Sequence, residues 1–149
     1  MKDRFKFRVW DGELMWYQGE LYFVFGANGY WETYIYGDNE VPVFTSQDEN
    51  CKLMQFSGLQ DKNNNDIYEG DIISLKNDGG QVIIVICEYG IARRTIGKHD
   101  VDIPCFYFRV PAYDNKKTFP IVNNYLGKHD LELFEIIGNI YENIDLVKN

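Results

Sequence analysis

Turn-forming residues punctuate the first forty positions of this chain every eight to twelve residues, a spacing that leaves room for strands but not for ordinary helices. Asp11-Gly12, Gly19, Asn28-Gly29 and Gly37-Asp38-Asn39 each close a short apolar run. The runs read as strands. Phe5, Phe7 and Val9 interleave with Arg4, Lys6 and Arg8, a period of two that predicts one apolar and one basic face. Asp11-Gly12 then links Trp10 to Leu14-Met15-Trp16-Tyr17 with the residues a tight hairpin requires. Leu21 to Phe25 and Tyr30 to Tyr36 continue a β-meander. Composition points the same way: aromatic residues make up 16% of the chain, and aromatics fit a pleated, half-buried surface.

The pattern persists downstream. Asp61 to Asp66 is a polar turn, and Gly70 suits a sharp corner into the run Asp71-Ile72-Ile73-Ser74-Leu75. Val82 to Cys87 is apolar on both faces, which predicts a central strand covered on both sides. Phe106 to Val110 and Leu131 to Ile137 are further strand candidates, and Arg109 to Lys128 reads as a long loop. Tyr141 to Val147 fits one or two helical turns capped by Asn143. The expected fold is all-β or strand-dominated, one domain over residues 1–149 that accommodates two small β subdomains packed as one unit.

Charge and cysteine usage bound the function classes. The net charge of −8 disfavours non-specific duplex binding, which depends on neutralising phosphates. Charge is also segregated: Glu32 to Asp71 holds nine acids against two lysines, and Arg93 to Lys128 holds seven basic residues against three acids. Such segregation suits surfaces that pair between copies. Cys51, Cys87 and Cys105 are too few and too scattered for a disulfide framework or zinc knuckle, and the last two read as small buried hydrophobes. Met1-Lys2-Asp3-Arg4-Phe5-Lys6 lacks the apolar core of a signal peptide, and no apolar run approaches the ~20 residues that span a bilayer. A cytoplasmic, reducing setting without membrane partners is expected.

Few residue patterns carry chemistry. Asp61-Lys62-Asn63-Asn64-Asn65-Asp66 alternates oxygen donors like the start of a calcium loop, but Asp66 stands where that loop needs Gly and Ile72 where it needs Glu. A hydrated turn accounts for the same residues. The two histidines lie in similar octamers, Ile96 to Ile103 and Leu126 to Leu133. His99, Asp100, His129 and Asp130 together resemble a sparse metal set, yet each octamer also reads as a polar turn entering a strand. No nucleophile elbow, phosphate loop or HExxH motif occurs. The expectation is no enzyme activity, no metal and no cofactor. Glu69 and Asp71 form a same-face carboxylate pair, and Arg93-Arg94 is the sharpest basic doublet, with the geometry to clamp a phosphate. Gly70-Asp71-Ile72-Ile73 also resembles the strand entry of SH3-like barrels.

Three blocks, in this order and spacing, resemble the YopX family. They are Phe5-Lys6-Phe7-Arg8-Val9-Trp10-Asp11 with Met15; Leu53 to Asn63 leading into Ile67-Tyr68-Glu69-Gly70-Asp71-Ile72; and Phe134 to Asn143. Asn64 and Ile144 depart from it, standing where the family usually has Gly and where Pro is common. The resemblance implies a phage- or prophage-encoded, largely β, self-associating protein with no established activity. It supplies no catalytic residues. Tyr68, Glu69 and Asp71, with Arg93 and Arg94, are the candidate binding residues. Two functions follow as expectations: a non-enzymatic accessory protein that forms homo-oligomers and contacts a host or phage protein, or a binder of a nucleotide signal or single-stranded nucleic acid stacked on aromatic rings.

Overall fold

The structure is a computed structural model that describes residues 5–37, 41–76, 79–118 and 132–148. Strands hold 59% of the described residues, and no α-helix occurs among them. The chain divides into two compact units, Met1–Phe56 and Ser57–Asn149.

In the first unit β1 (Phe7–Trp10) lies between β2 (Met15–Tyr17) and the start of β6 (Lys52–Gln60), antiparallel to both. The Asp11 carboxylate shapes the β1–β2 turn by accepting the Glu13 and Leu14 N–H groups at 2.7 Å and the Trp16 indole N–H at 2.9 Å. Burial pushes its pKa up, but these bonds outweigh burial and leave it below the ordinary carboxylate value. β3 (Leu21–Phe25), β4 (Trp31–Ile35) and β5 (Phe44–Thr45) form a second, three-stranded antiparallel sheet. Val9, Leu21 and Trp31 make the core, with Trp16, Phe23, Phe44, Cys51 and Leu53 packed against them. Arg8 departs from the expected basic face. It is buried, with its guanidinium 6.0 Å from the ring centroid of Tyr17, its partner across β1 and β2.

The second unit is a five-stranded antiparallel sheet in the order β11-β10-β9-β8-β12. Its strands are β8 (Asp71–Lys76), β9 (Val82–Ile96), β10 (His99–Val110), β11 (Lys116–Thr118) and β12 (Phe134–Asn139). The later part of β6 and β7 (Asp66–Tyr68) precede them. Alternate residues of neighbouring strands meet on one face: Ile73, Leu75, Val85, Cys87, Phe108, Val110 and Phe134 form its core with Ile67. Phe108 and Phe134 meet edge to face at 5.1 Å. Ile72 and Ile86, partners across β8 and β9 on the other face, are also fully buried. Val85 to Cys87 is therefore covered on both sides as expected, whereas Val82 is exposed.

The sequence understates the length of the central hairpin. β9 and β10 continue far past the apolar run, because cross-strand pairing persists through the polar residues to Ile96 and His99. The segment read as a long loop begins inside β10, passes a 3₁₀ turn at Pro111–Tyr113 and forms β11 before leaving the described residues. Cys105 is half-buried rather than buried. The C-terminal helical turn is a 3₁₀ segment, Ile144–Leu146, and Asn143 does not cap it. Its side-chain oxygen instead accepts the Asn139 N–H at 3.1 Å, reaching back to the end of β12.

That contact explains Gly138. A Cβ at this position would run into the Asn143 side chain, whose Cγ would lie 2.6 Å away. Gly138→Ala should therefore destabilise the protein by about 1–3 kcal/mol in urea unfolding. Adding Asn143→Ala to that background should restore part of the loss, and independent effects would count against the steric account.

Candidate functional site

Two family-like blocks of the sequence meet at one corner of the second unit. Gly70 takes φ +83°, a left-handed conformation that glycine adopts without strain, and turns the chain from β7 into β8. The Asp71 carboxylate accepts the Tyr68 N–H at 2.8 Å, the Gly70 N–H donates to the Cys87 carbonyl, and the Ile140 N–H donates to the Gly70 carbonyl. Asn139 lies opposite Asp71 in the sheet register. Its side-chain oxygen accepts the Tyr141 and Glu142 N–H groups at 3.0 Å, and its amide donates to Glu142 at 2.9 Å. Tyr68 and Asp71 are buried and Glu69 is half-buried. The corner is thus a set of side-chain bonds to turning backbone.

Arg93 and Arg94 lie elsewhere. Cys87 and Arg93 stand six positions apart on β9, about 20 Å of extended chain. As neighbours on a strand the two arginines face opposite sides of the hairpin. Arg93 makes a two-pronged contact with Asp102 across the strands, Nε to Oδ1 at 2.9 Å and Nη2 to Oδ2 at 3.2 Å. The hydrogen bond raises the guanidinium pKa and holds Asp102 below its ordinary value, but both groups are solvated and the pair adds little stability. The five residues nominated from sequence therefore fall in two places.

The metal-like motifs resolve in part. Both Asp61 oxygens accept N–H groups: Oδ1 from Asn63 and Asn65 at 2.9 Å, Oδ2 from Ile136 at 3.1 Å and the Asn65 side chain at 3.5 Å. Its loop is a backbone clamp. His99 opens β10 directly after the Gly97-Lys98 turn, whereas His129 and Asp130 lie outside the described residues. Among the described residues no three His, Cys, Asp or Glu side chains converge. Burial pushes the Cys51 and Cys105 thiols above their ordinary pKa, which disfavours the nucleophilic thiolate.

A different surface collects aromatic rings. Tyr30, Glu32, Tyr34 and Tyr36 recur with the strand period of two along β4 and its flanks, so they share the face opposite Trp31 and Thr33, which are buried. Tyr22 pairs with Tyr34 across β3 and β4, their rings stacked at 5.4 Å with planes 18° apart. Tyr36 joins Tyr22 at 5.3 Å. At the centre of the stripe, the Glu32 carboxylate accepts the Tyr30 hydroxyl at 2.9 Å and the Tyr34 hydroxyl at 2.8 Å. Glu32, Tyr22, Tyr30 and Tyr34 are half-buried and Tyr36 is exposed, so the stripe combines a fixed charge with partly accessible rings. The alternation Tyr30-x-Glu32-x-Tyr34-x-Tyr36 was the signal in the sequence that could have revealed it.

Comparison with known proteins places this architecture. The family model described as YopX protein matches residues 6–148. The chain is similar in structure to the X-ray structure of protein YopX from Bacillus subtilis, with a TM-score of 0.65 and 24% identity over 96% of this chain and 98% of that one. It is also similar to protein EF1440 from Enterococcus faecalis, with a TM-score of 0.54 and 22% identity over 97% and 98%. Likenesses at these identities speak to fold alone. No curated protein matches the chain.

The tyrosine face makes a titration prediction. The hydrogen bond to Glu32 pushes the Tyr34 hydroxyl up to about 12 from an ordinary 10.0, because ionisation would set a phenolate against a carboxylate. The stabilising contact is present below the ordinary phenol value and lost as pH rises through the folded one. Glu32→Gln, which keeps an acceptor but removes the charge, should move the Tyr34 transition back toward 10.0 in near-UV phenolate absorbance. An unchanged titration would show that Glu32 does not hold the proton.

Proposed function

The chain belongs to the YopX family, and on that premise we propose that it is a phage- or prophage-encoded accessory protein without enzymatic activity. It acts in the bacterial cytoplasm through self-association and contacts with a host or phage protein. No helix among the described residues is long and apolar enough to cross a membrane, which accords with that setting.

The observation that carries the reading is the arm made by the far halves of β9 and β10. β8 pairs with β9 only as far as Ile86, and β11 pairs with β10 only from Phe108 onward. Beyond those points the hairpin has no further strand neighbour among the described residues. Lys117 reaches across from β11, its Nζ donating to the Ile91 carbonyl at 2.8 Å and lying over the Tyr107 ring. A two-stranded ribbon is marginally stable by itself in water. This one also exposes Tyr89, Ile91 and Ile96, each by more than half. Among the described residues its far edges carry no third strand, and such edges are templates for pairing with another chain. Lys98 and Asp100 sit at the tip of the arm beside the internal Arg93–Asp102 pair, so a two-fold contact there can set a cation of one copy against a carboxylate of the next.

The second reading, a binder of a nucleotide or single-stranded nucleic acid, draws on the stacked Tyr22 and Tyr34 rings. The Glu32 carboxylate in their midst opposes phosphate, which is why self-association is preferred.

Light scattering tests the proposal. The expected result is a concentration-dependent mass above the 17.5 kDa chain, reduced at high salt. Ile91→Asp, at a position 57% exposed and so tolerant of folding, should weaken association by about ten-fold or more. A 17.5 kDa monomer at every concentration and salt would refute the reading.

A further inference from the structure

We propose that the tyrosine face of β3 and β4 is a binding site for arginine side chains, presented by a basic segment of a partner protein. The stripe supplies both halves of what a guanidinium needs. Glu32 offers the charge: a carboxylate has about four lone-pair sites, and the Tyr30 and Tyr34 hydroxyls occupy two. Those two donors also fix its orientation, so little ordering entropy remains to be lost on binding. Tyr22, Tyr34 and Tyr36 offer the rings, with Tyr36 60% exposed and Val24 beside Glu32 41% exposed.

Charge complementarity selects the occupant. Among the described residues the Glu32 carboxylate meets two phenols and no cation. Phosphate is repelled, and a hard metal ion would want several more oxygen ligands than one carboxylate and neutral phenols provide. Guanidinium is planar, weakly hydrated and able both to stack on tyrosine and to bond a carboxylate with a fork of N–H groups. Lysine, a compact and strongly hydrated point charge, gains less from the rings. The site lies in the first unit, whereas the arm lies in the second, so this proposal does not depend on self-association.

The test is titration of the full chain, with ring-labelled tyrosine followed by NMR. The probe is a blocked Gly-Arg-Gly-Arg-Gly peptide, compared with its lysine counterpart and with AMP. The arginine peptide should shift the Tyr22, Tyr34 and Tyr36 ring signals and bind at least about five-fold more tightly than the lysine peptide. Glu32→Gln should weaken it by about ten-fold or more, as expected when a charged partner is removed. Tyr36→Ser, which removes the most exposed ring of the stripe, should weaken it several-fold, and both variants should keep the wild-type far-UV spectrum and unfolding midpoint. Equal binding of arginine and lysine peptides, indifference to Glu32→Gln, or no ring shifts at saturating peptide would overturn the proposal. So would AMP shifting the rings in place of the peptide. A change in oligomeric mass in Glu32→Gln would assign the face to a second copy and overturn it equally.

Discussion

The second unit depends on one carboxylate. Asp61 sits in the turn between β6 and β7, yet its Oδ2 accepts the N–H of Ile136, 75 positions further along the chain. The same side chain holds Asn63 and Asn65, so a single group shapes a loop and fastens the last strand to it. The Lys62 N–H adds a bond to the Phe134 carbonyl, and its ammonium meets Glu135 at 2.8 Å. β12 is an edge strand, and these contacts occupy backbone groups on the edge it would otherwise present to other chains. Burial raises the Asp61 pKa, but the N–H donors outweigh it and hold the group below its ordinary 3.8. A carboxylate depressed in this way stabilises the fold above its unfolded pKa and loses that contribution as pH falls through the folded value.

The same economy runs through the corner where β8 begins. Asp71, Asn139 and Asn143 spend side-chain acceptors on backbone N–H groups, and Gly138 leaves room for Asn143. These polar residues specify where the chain turns, and buried polar groups of this kind are costly unless satisfied. The exposed features lie elsewhere: a hairpin arm with apolar side chains in water, and a sheet face with tyrosines around a carboxylate. Surface of that kind is where binding energy is available, because aromatic anchors and desolvated charge pairs dominate interfaces.

Much of the fold was legible in the sequence because its cause is local. The Asp11-Gly12 hairpin, the Gly70 corner and the apolar run at Val85 each follow from turn chemistry or periodicity. What could not be read depends on pairing at a distance. The polar half of β9 becomes a strand because β10 lies beside it, and its burial alternates with Tyr89, Ile91 and Arg93 outward and Glu88, Gly90 and Ala92 inward, which no hydrophobic period foretells. β6 was hidden because Gly58, at φ +87°, interrupts the run. Asn143 looks like a helix cap, and only the close approach of β12 redirects its side chain to Asn139. The tyrosine stripe was visible as an alternation, but its meaning lay in the Tyr22 ring brought over from β3 and in Glu32 between two hydroxyls.

The central claim is that the Asp61 carboxylate couples its own loop to the C-terminal strand. Amide hydrogen exchange in wild type and Asp61→Asn, a substitution of equal shape without the charge, tests it most directly. The account predicts that the Asn63, Asn65 and Ile136 amides lose protection together, and that β12 as a whole opens with them. Unchanged protection at Ile136, with any loss confined to the loop, would contradict it.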